Sequence, residues 1–246
     1  MARLLISILA VLSTLALPVH ATDIDLTRIA DGVYAAVRRE PPGLTFVSNT
    51  VFILEADHAI VVDTGIGQAT AAASIAALKS LTDKPVRYLI NTHWHDDHHL
   101  GNAAWRAAYP GALVVAHANA VGELAGTGEA NRKELLKEGP AFAQEIRNAL
   151  AKNLNLAGKP ISAEERESFA ADLTWAERYF RDTPSTPILL PDLEVGERLV
   201  LRGKRRVEIL YLGRAHTASD LVVWLPEERI AVTGDLVVWP IPLFGS

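Results

Sequence analysis

A chain of 246 residues has room for one medium-sized domain with a substantial core. Apolar residues make up 49% and charged residues 22%, and a formal charge of −5 gives no footing for nucleic-acid or anionic-membrane binding. Cysteine is absent, which excludes disulfides and thiolate ligands and leaves imidazole and carboxylate to hold any metal.

The chain starts as a leader. Met1-Ala-Arg3 is basic, Leu4 to Leu17 is almost wholly apolar, and Val19 and Ala21 are the small residues a signal peptidase needs. The apolar run is short for a membrane span. The expectation is a signal peptide over 1–21, a domain over 22–246, and a periplasmic or secreted protein that does not stay on the membrane.

Beyond the leader, Gly32–Arg38 and Phe46–Leu54 read as strands, joined by a loop from Arg39 to Thr45 that could flank a pocket. Ala59–Val62 is a third strand, after a turn at Ala56-Asp57-His58 where His58 is expected to be structural. Gln68 to Leu81 has Ala-rich helical spacing. Val86–Ile90 is the next strand, followed by a His/Asp segment and a short helix from about Leu100 to Ala108. Ala112–Ala116 returns as a strand.

Between about Ala118 and Pro184 the pattern becomes helical. Phe142, Ile146 and Leu150 recur every fourth residue, Phe169, Leu173, Ala176 and Phe180 every third or fourth, and Ser162-Ala-Glu-Glu165 is a capping box. This insert is either extra packing or a pocket wall, and Trp175, Tyr179 and Phe180 are either core or lining. Strands resume at Glu197–Leu201, Arg206–Leu212, Asp220–Leu225 and Arg229–Thr233.

Chemistry concentrates in His93-Trp-His-Asp-Asp-His-His99, where six of seven residues are histidine or aspartate. A strand has a side-chain period of two, which sends His93 and His95 to the same face and turns Trp94 away. Asp97 and His98 follow at the turn into the next helix, so one segment offers two donor pairs. That suits a pair of metals better than one. Other apolar strands also end in a small residue and a donor: Val62 at Asp63, Gly213 before His216, Gly234 before Asp235. Donors at strand ends are how α/β proteins assemble a site.

The segments Thr92-His-Trp-His-Asp-Asp-His98 with Gly101-Asn102, Gly213-Arg-Ala-His-Thr217, Thr233-Gly-Asp235 and Val62-Asp-Thr-Gly65 together resemble the metallo-β-lactamase superfamily. The resemblance implies an α/β fold, a four-layered α/β/β/α sandwich, here with a helical insert and the metal site at one edge of the sheets. It implies that His93, His95 and His216 hold a first metal, that Asp97 and His98 hold a second, and that Asp235 bridges both. Asp63 would orient a ligand loop, and Asp96, His99 and His117 would not be ligands. The family's second metal usually takes one more histidine from a later Gly-His-Gly-like segment. No histidine follows His216, so the chain ending at Leu243-Phe-Gly-Ser246 is expected to be C-terminally truncated.

The expected function is that of a zinc-dependent hydrolase, with two zinc ions in a complete protein and a metal-bound hydroxide attacking a small ester, lactone, amide or related substrate. Asp97 would orient the nucleophile. A β-lactamase is one alternative, although the bridging aspartate is more similar to glyoxalase II and other non-lactamase hydrolases. A mononuclear iron oxidoreductase resembling persulfide dioxygenases, with iron on His93, His216 and Asp235, is another. Nothing in the sequence indicates the oligomeric state.

Overall fold

The computed structural model describes residues 24–40 and 47–238. Residues 1–23, which include the expected signal peptide, residues 41–46 of the expected loop and strand, and residues 239–246 lie outside them. Among the described residues no helix is long and apolar enough to cross a membrane.

Two sheets make the frame. The first has seven strands in chain order: β1 (Ile24–Ala30), β2 (Val33–Arg38), β3 (Thr50–Leu54), β4 (Ala59–Val62), β5 (Val86–Ile90), β6 (Leu113–His117) and β7 (Leu193–Val195). β1 to β4 pair antiparallel, and β4 to β7 parallel. The second sheet is antiparallel, in the order β11 (Ile230–Val232), β10 (Leu221–Leu225), β9 (Arg206–Tyr211), β8 (Arg198–Arg202).

The central parallel strands are mostly apolar because both their faces are covered. Ile60, Val62, Ile90 and Val115 face the second sheet and meet Val207, Ile209, Leu221 and Val223. The alternate residues Ala59, Val61, Leu89 and Val114 pack on Ala71 and Leu78 of helix α1 (Gln68–Leu81) and on Trp105 of α3 (Asn102–Ala108). A period of two thus divides each strand between two cores.

At the end away from the His/Asp segment, a buried ionic group ties the sheets. Arg205 Nε lies 3.1 Å from Glu55 Oε1, and its Nη1 donates to Glu228 at 2.8 Å and to the Asp31 carbonyl at 3.0 Å.

The insert is three helices: α4 (Ala118–Glu123), α5 (Glu129–Lys152) and α6 (Ala163–Asp182), with one π-type turn, Leu124–Gly128, between the first two. Ser162 caps α6 as its sequence predicts, since its hydroxyl accepts from Glu165 N at 3.1 Å while Glu165 accepts from Ser162 N at 2.9 Å. On α5, Ile146 is buried as expected but Phe142 is 52% exposed. A Cβ at Gly139 would sit 2.4 Å from the Phe180 ring, so the glycine lets α5 approach α6 closely with that ring in place.

Two strands have no signature in the sequence. β1 is mostly exposed, and exists because its backbone pairs with β2 from Ile24↔Arg38 onward. β7 is three residues held against β6. β3 is shorter than Phe46–Leu54, because only Thr50–Leu54 pairs with neighbours.

Candidate metal centre

β5 stops at Ile90, and Asn91 to His95 are irregular, leading into the single turn α2 (Asp96–His99). His93 and His95 are therefore not on a strand, which corrects the period-of-two argument. They converge all the same, with ring centroids 4.7 Å apart, because buried polar bonds dictate the path of the loop. Asn91 Nδ2 and Thr64 N both donate to the His98 carbonyl, at 3.0 and 2.9 Å. Asn102 Nδ2 donates to Asn91 Oδ1 at 2.8 Å, and Thr64 Oγ1 donates to Asn102 Oδ1 at 3.0 Å. A satisfied buried network of this kind holds one conformation.

Asp63 is the hub. It ends β4 with a left-handed φ of 58°, which Asp tolerates better than most residues. Its Oδ1 accepts from Thr92 N at 2.8 Å. Its Oδ2 accepts from Thr92 Oγ1 at 2.9 Å and lies 2.9 Å from His98 Nδ1.

His216 comes from the loop between β9 and β10. Asp220 braces that loop by accepting from Thr217 N at 2.7 Å and Thr217 Oγ1 at 3.0 Å. From the insert, Glu123 accepts from Ala218 N at 3.0 Å and Asn119 Nδ2 donates to the Ala218 carbonyl at 2.7 Å. Asp235 sits on a 3₁₀ turn after β11 (Gly234–Leu236). There a Cβ on Gly234 would come within 2.5 Å of Thr92 Oγ1, so only glycine lets the turn pass this close.

The outcome is a convergence from three distant segments. Donor atoms of His93, His95, His216 and Asp235 all lie within 4.8 Å of one another. His95 Nδ1 is 3.1 Å from His216 Nε2. Asp235 Oδ2 is 4.0 Å from His93 Nε2 and 3.7 Å from His216 Nε2. The other oxygen, Oδ1, lies 3.3 Å from His98 Nε2, which is also 3.3 Å from Asp97 Oδ2. The two oxygens of one carboxylate thus face two donor groups.

These donors suit a cation. His93 Nε2 and His98 Nε2, which face Asp235, are buried without a hydrogen-bond partner, an arrangement that is costly unless something fills it. Imidazole and carboxylate together fit zinc or iron. Burial, followed by the neighbouring histidines, pushes His93 well below the usual imidazole range, and burial and His216 lower His95. Both are thereby held in the neutral form that ligates metal. At His98 burial also opposes the charge, but Asp97, Asp63 and Asp235 outweigh it and raise the ring well above its ordinary value. Burial would raise Asp97 too, yet the His98 charge keeps its carboxyl lowered.

Other polar residues have different partners. Asp96 accepts from the Tyr179 hydroxyl at 2.5 Å and lies 3.5 Å from His99 Nε2. His117 caps α4, accepting from Asn119 N at 3.1 Å, and stacks on Tyr211 at 3.9 Å. His58 pairs with Asp57 in its turn at 2.7 Å.

Ser48 escaped the sequence reading, as did the roles of Tyr179 and Trp94 at the metal loop. Ser48 donates its hydroxyl to the Asp97 carbonyl. Tyr179 reaches across from α6 to Asp96. Trp94 packs with Ala116, Ala120 and Leu124, but also stands edge-on to His95 at 4.5 Å and borders the cavity. That cavity, about 950 Å³, joins Asp97, His98, His216 and Asp235 to the helices of the insert. Phe142, a large apolar residue left exposed on an amphipathic helix, is the feature that marks the wall.

A mixed two-sheet α/β sandwich with a histidine–aspartate centre at the strand ends defines the class of metal-binding fold. The family model of the metallo-beta-lactamase superfamily matches residues 43–244, and the chain belongs to that superfamily. Among solved structures it is similar in fold to a metallo-beta-lactamase from Pontibacter korlensis, at 18% identity and a TM-score of 0.51, with 85% of this chain and 69% of that one covered. The metallo-beta-lactamase FIM-1 from Pseudomonas aeruginosa, in its mono-zinc form, aligns at 19% identity and a TM-score of 0.48, covering 83% of this chain and 65% of that one. Membership supports metal-dependent hydrolysis as the general chemistry.

Proposed function

We propose that the protein is a zinc-dependent hydrolase of a small ester, lactone, amide or related substrate. The observation that carries this reading is Asp235, whose Oδ2 faces His93 and His216 while its Oδ1 faces His98. In this assignment His93, His95 and His216 would hold one ion, Asp97 and His98 would hold another, and Asp235 would serve both.

When bound, zinc supplies a Lewis acid and lowers the pKa of water from about 16 to about 7. The chain supplies orientation and proton handling. Asp63 accepts the Nδ1 proton of His98 and leaves its Nε2 lone pair aimed into the centre. Thr92 Oγ1, 3.1 Å from His93 Nδ1, does the same for His93. Asp97 would orient the attacking water and take its proton as oxygen adds to the carbonyl carbon. The Trp94 ring limits access of bulk water at His95.

Full-length protein reconstituted with zinc should hydrolyse simple esters or lactones, stop on chelation, and lose at least about a hundredfold in kcat on Asp97→Ala. Turnover of nitrocefin at ordinary enzymatic rates would reverse the ranking in favour of a β-lactamase.

A second reading rests on the tightness of one donor group. His93, His95, His216 and Asp235 surround a single point, as a mononuclear iron oxidoreductase would need. Metal analysis after metal-neutral expression separates the two: about one iron with oxygen uptake would sink the hydrolase. The leader supports a periplasmic or secreted location, which N-terminal sequencing of the exported protein tests.

A further inference from the structure

The cavity at the metal centre extends into a chamber that the hydrolytic chemistry does not require. At one end it is bordered by Asp97, His98 and Asp235, and at the other by α5 and α6. The helix end is apolar. Leu135, Phe142 and Ile146 come from α5, Trp175 and Phe180 from α6, and Trp94 from the metal loop. One exposed aromatic on a surface is ordinary, but three further aromatic rings around the same void make a wall. Phe142 is 52% exposed while bordering it, so its ring faces space that another apolar group can fill. Gly139 keeps that wall together, because any side chain there would strike the Phe180 ring.

The charged groups at the helix end do not build an anion site. Arg132 is the one cation bordering the cavity among the described residues, and its Nη1 donates to the Thr186 carbonyl at 3.1 Å. Asp172 offsets it on the facing helix, with a carboxyl that burial holds above its usual range. A volume of about 950 Å³ lies within the range of small-molecule sites and exceeds the space needed for an acetyl group.

We propose that the α5–α6 chamber selects substrates whose acyl arm is apolar, uncharged and of medium length or longer, with the scissile carbonyl at Asp97 and Asp235. This proposal rests on the hydrolase reading for its chemistry, but the chamber can be tested without it.

Two readouts serve. The first is kcat/KM of the zinc-loaded full chain on ethyl acetate, ethyl octanoate and the carboxylate-tipped monoethyl suberate. Half-burial of the six added methylenes corresponds to a rise on the order of 50-fold from acetate to octanoate. Phe142→Lys, at an exposed helical position, and Trp175→Ala should each cut that ratio at least about tenfold. The second readout is fluorescence of the neutral probe N-phenyl-1-naphthylamine with the metal-free chain. Binding should be seen in the wild type and lost in both variants.

A flat chain-length profile, a preference for monoethyl suberate over ethyl octanoate, or probe binding indifferent to both substitutions would overturn the chamber. Probe binding that both variants abolish, with no ester of any length hydrolysed, would support the chamber and overturn the hydrolase reading instead.

Discussion

The hydroxyl of Tyr179, on the insert helix α6, donates to the carboxylate of Asp96 at 2.5 Å, directly beside Asp97. Burial, and then the charge of Asp96, raises the Tyr179 hydroxyl far above its ordinary range, so it stays a proton donor. The insert is thereby bonded to the metal loop. Tyr179→Phe removes one charge-assisted bond and should destabilise the fold by about 1–2 kcal/mol. Turnover should fall while zinc stoichiometry is kept. Urea unfolding, metal analysis and kcat on the same preparation check this, and unchanged values of both stability and kcat would refute the coupling.

Asp63→Asn acts on the metals from behind. The amide can no longer accept from both Thr92 and His98, and the proton displaced from His98 Nδ1 must move to Nε2, the atom that faces Asp97 and Asp235. Loss of such an orienting carboxylate costs about 10–100-fold in metal affinity. Competition with a chromophoric chelator should show that loss in one zinc equivalent and leave the other nearly intact.

At the far end of the sheets Glu55 is 2% exposed and faces the Arg205 guanidinium. Glu55→Ala leaves the buried Arg205 with Glu228 as its remaining carboxylate partner among the described residues and should cost about 2–3 kcal/mol. Glu55 stands at the end of β3, away from every donor at the metal centre. Zinc affinity of the folded fraction should therefore be unchanged, and a parallel loss of zinc affinity would count against the separation of the two ends.

His117 gives a pH dependence of known sign. Burial lowers its pKa below the unfolded value, so below about pH 6.5 the unfolded chain binds more protons than the folded one. Its contribution is present above that pH and is lost as pH falls through the folded pKa. The metal-free protein should lose stability on the acid side, and His117→Gln should flatten part of that decline. An identical pH profile for the two proteins would remove His117 from the account.

Much of the frame was legible because its signals are local. Ala59–Val62, Gln68–Leu81 and Val86–Ile90 match their elements residue for residue, since apolar runs and Ala-rich spacing act over a few neighbours. The Ser162 box worked for the same reason. β1 and β7 left no such trace, because backbone pairing with a partner strand forms them. His93 and His95 were placed together by a mistaken route, since a loop tied by Asp63, Asn91 and Asn102 replaces the extended strand.

The sequence by itself determined that no thiolate could hold a metal, that histidine and aspartate crowd the stretch His93–His99, and that strands alternate with helices as in an α/β protein. Those facts follow from composition, from donor density over a few residues and from local periodicity. Tertiary structure decided that Asp235 divides its oxygens between two donor groups and that Tyr179 braces the metal loop. It also decided that Phe142 and Trp175 share a cavity with Asp97. Each of these pairs is far apart along the chain, and only the packing of two sheets and three insert helices sets the distance between them.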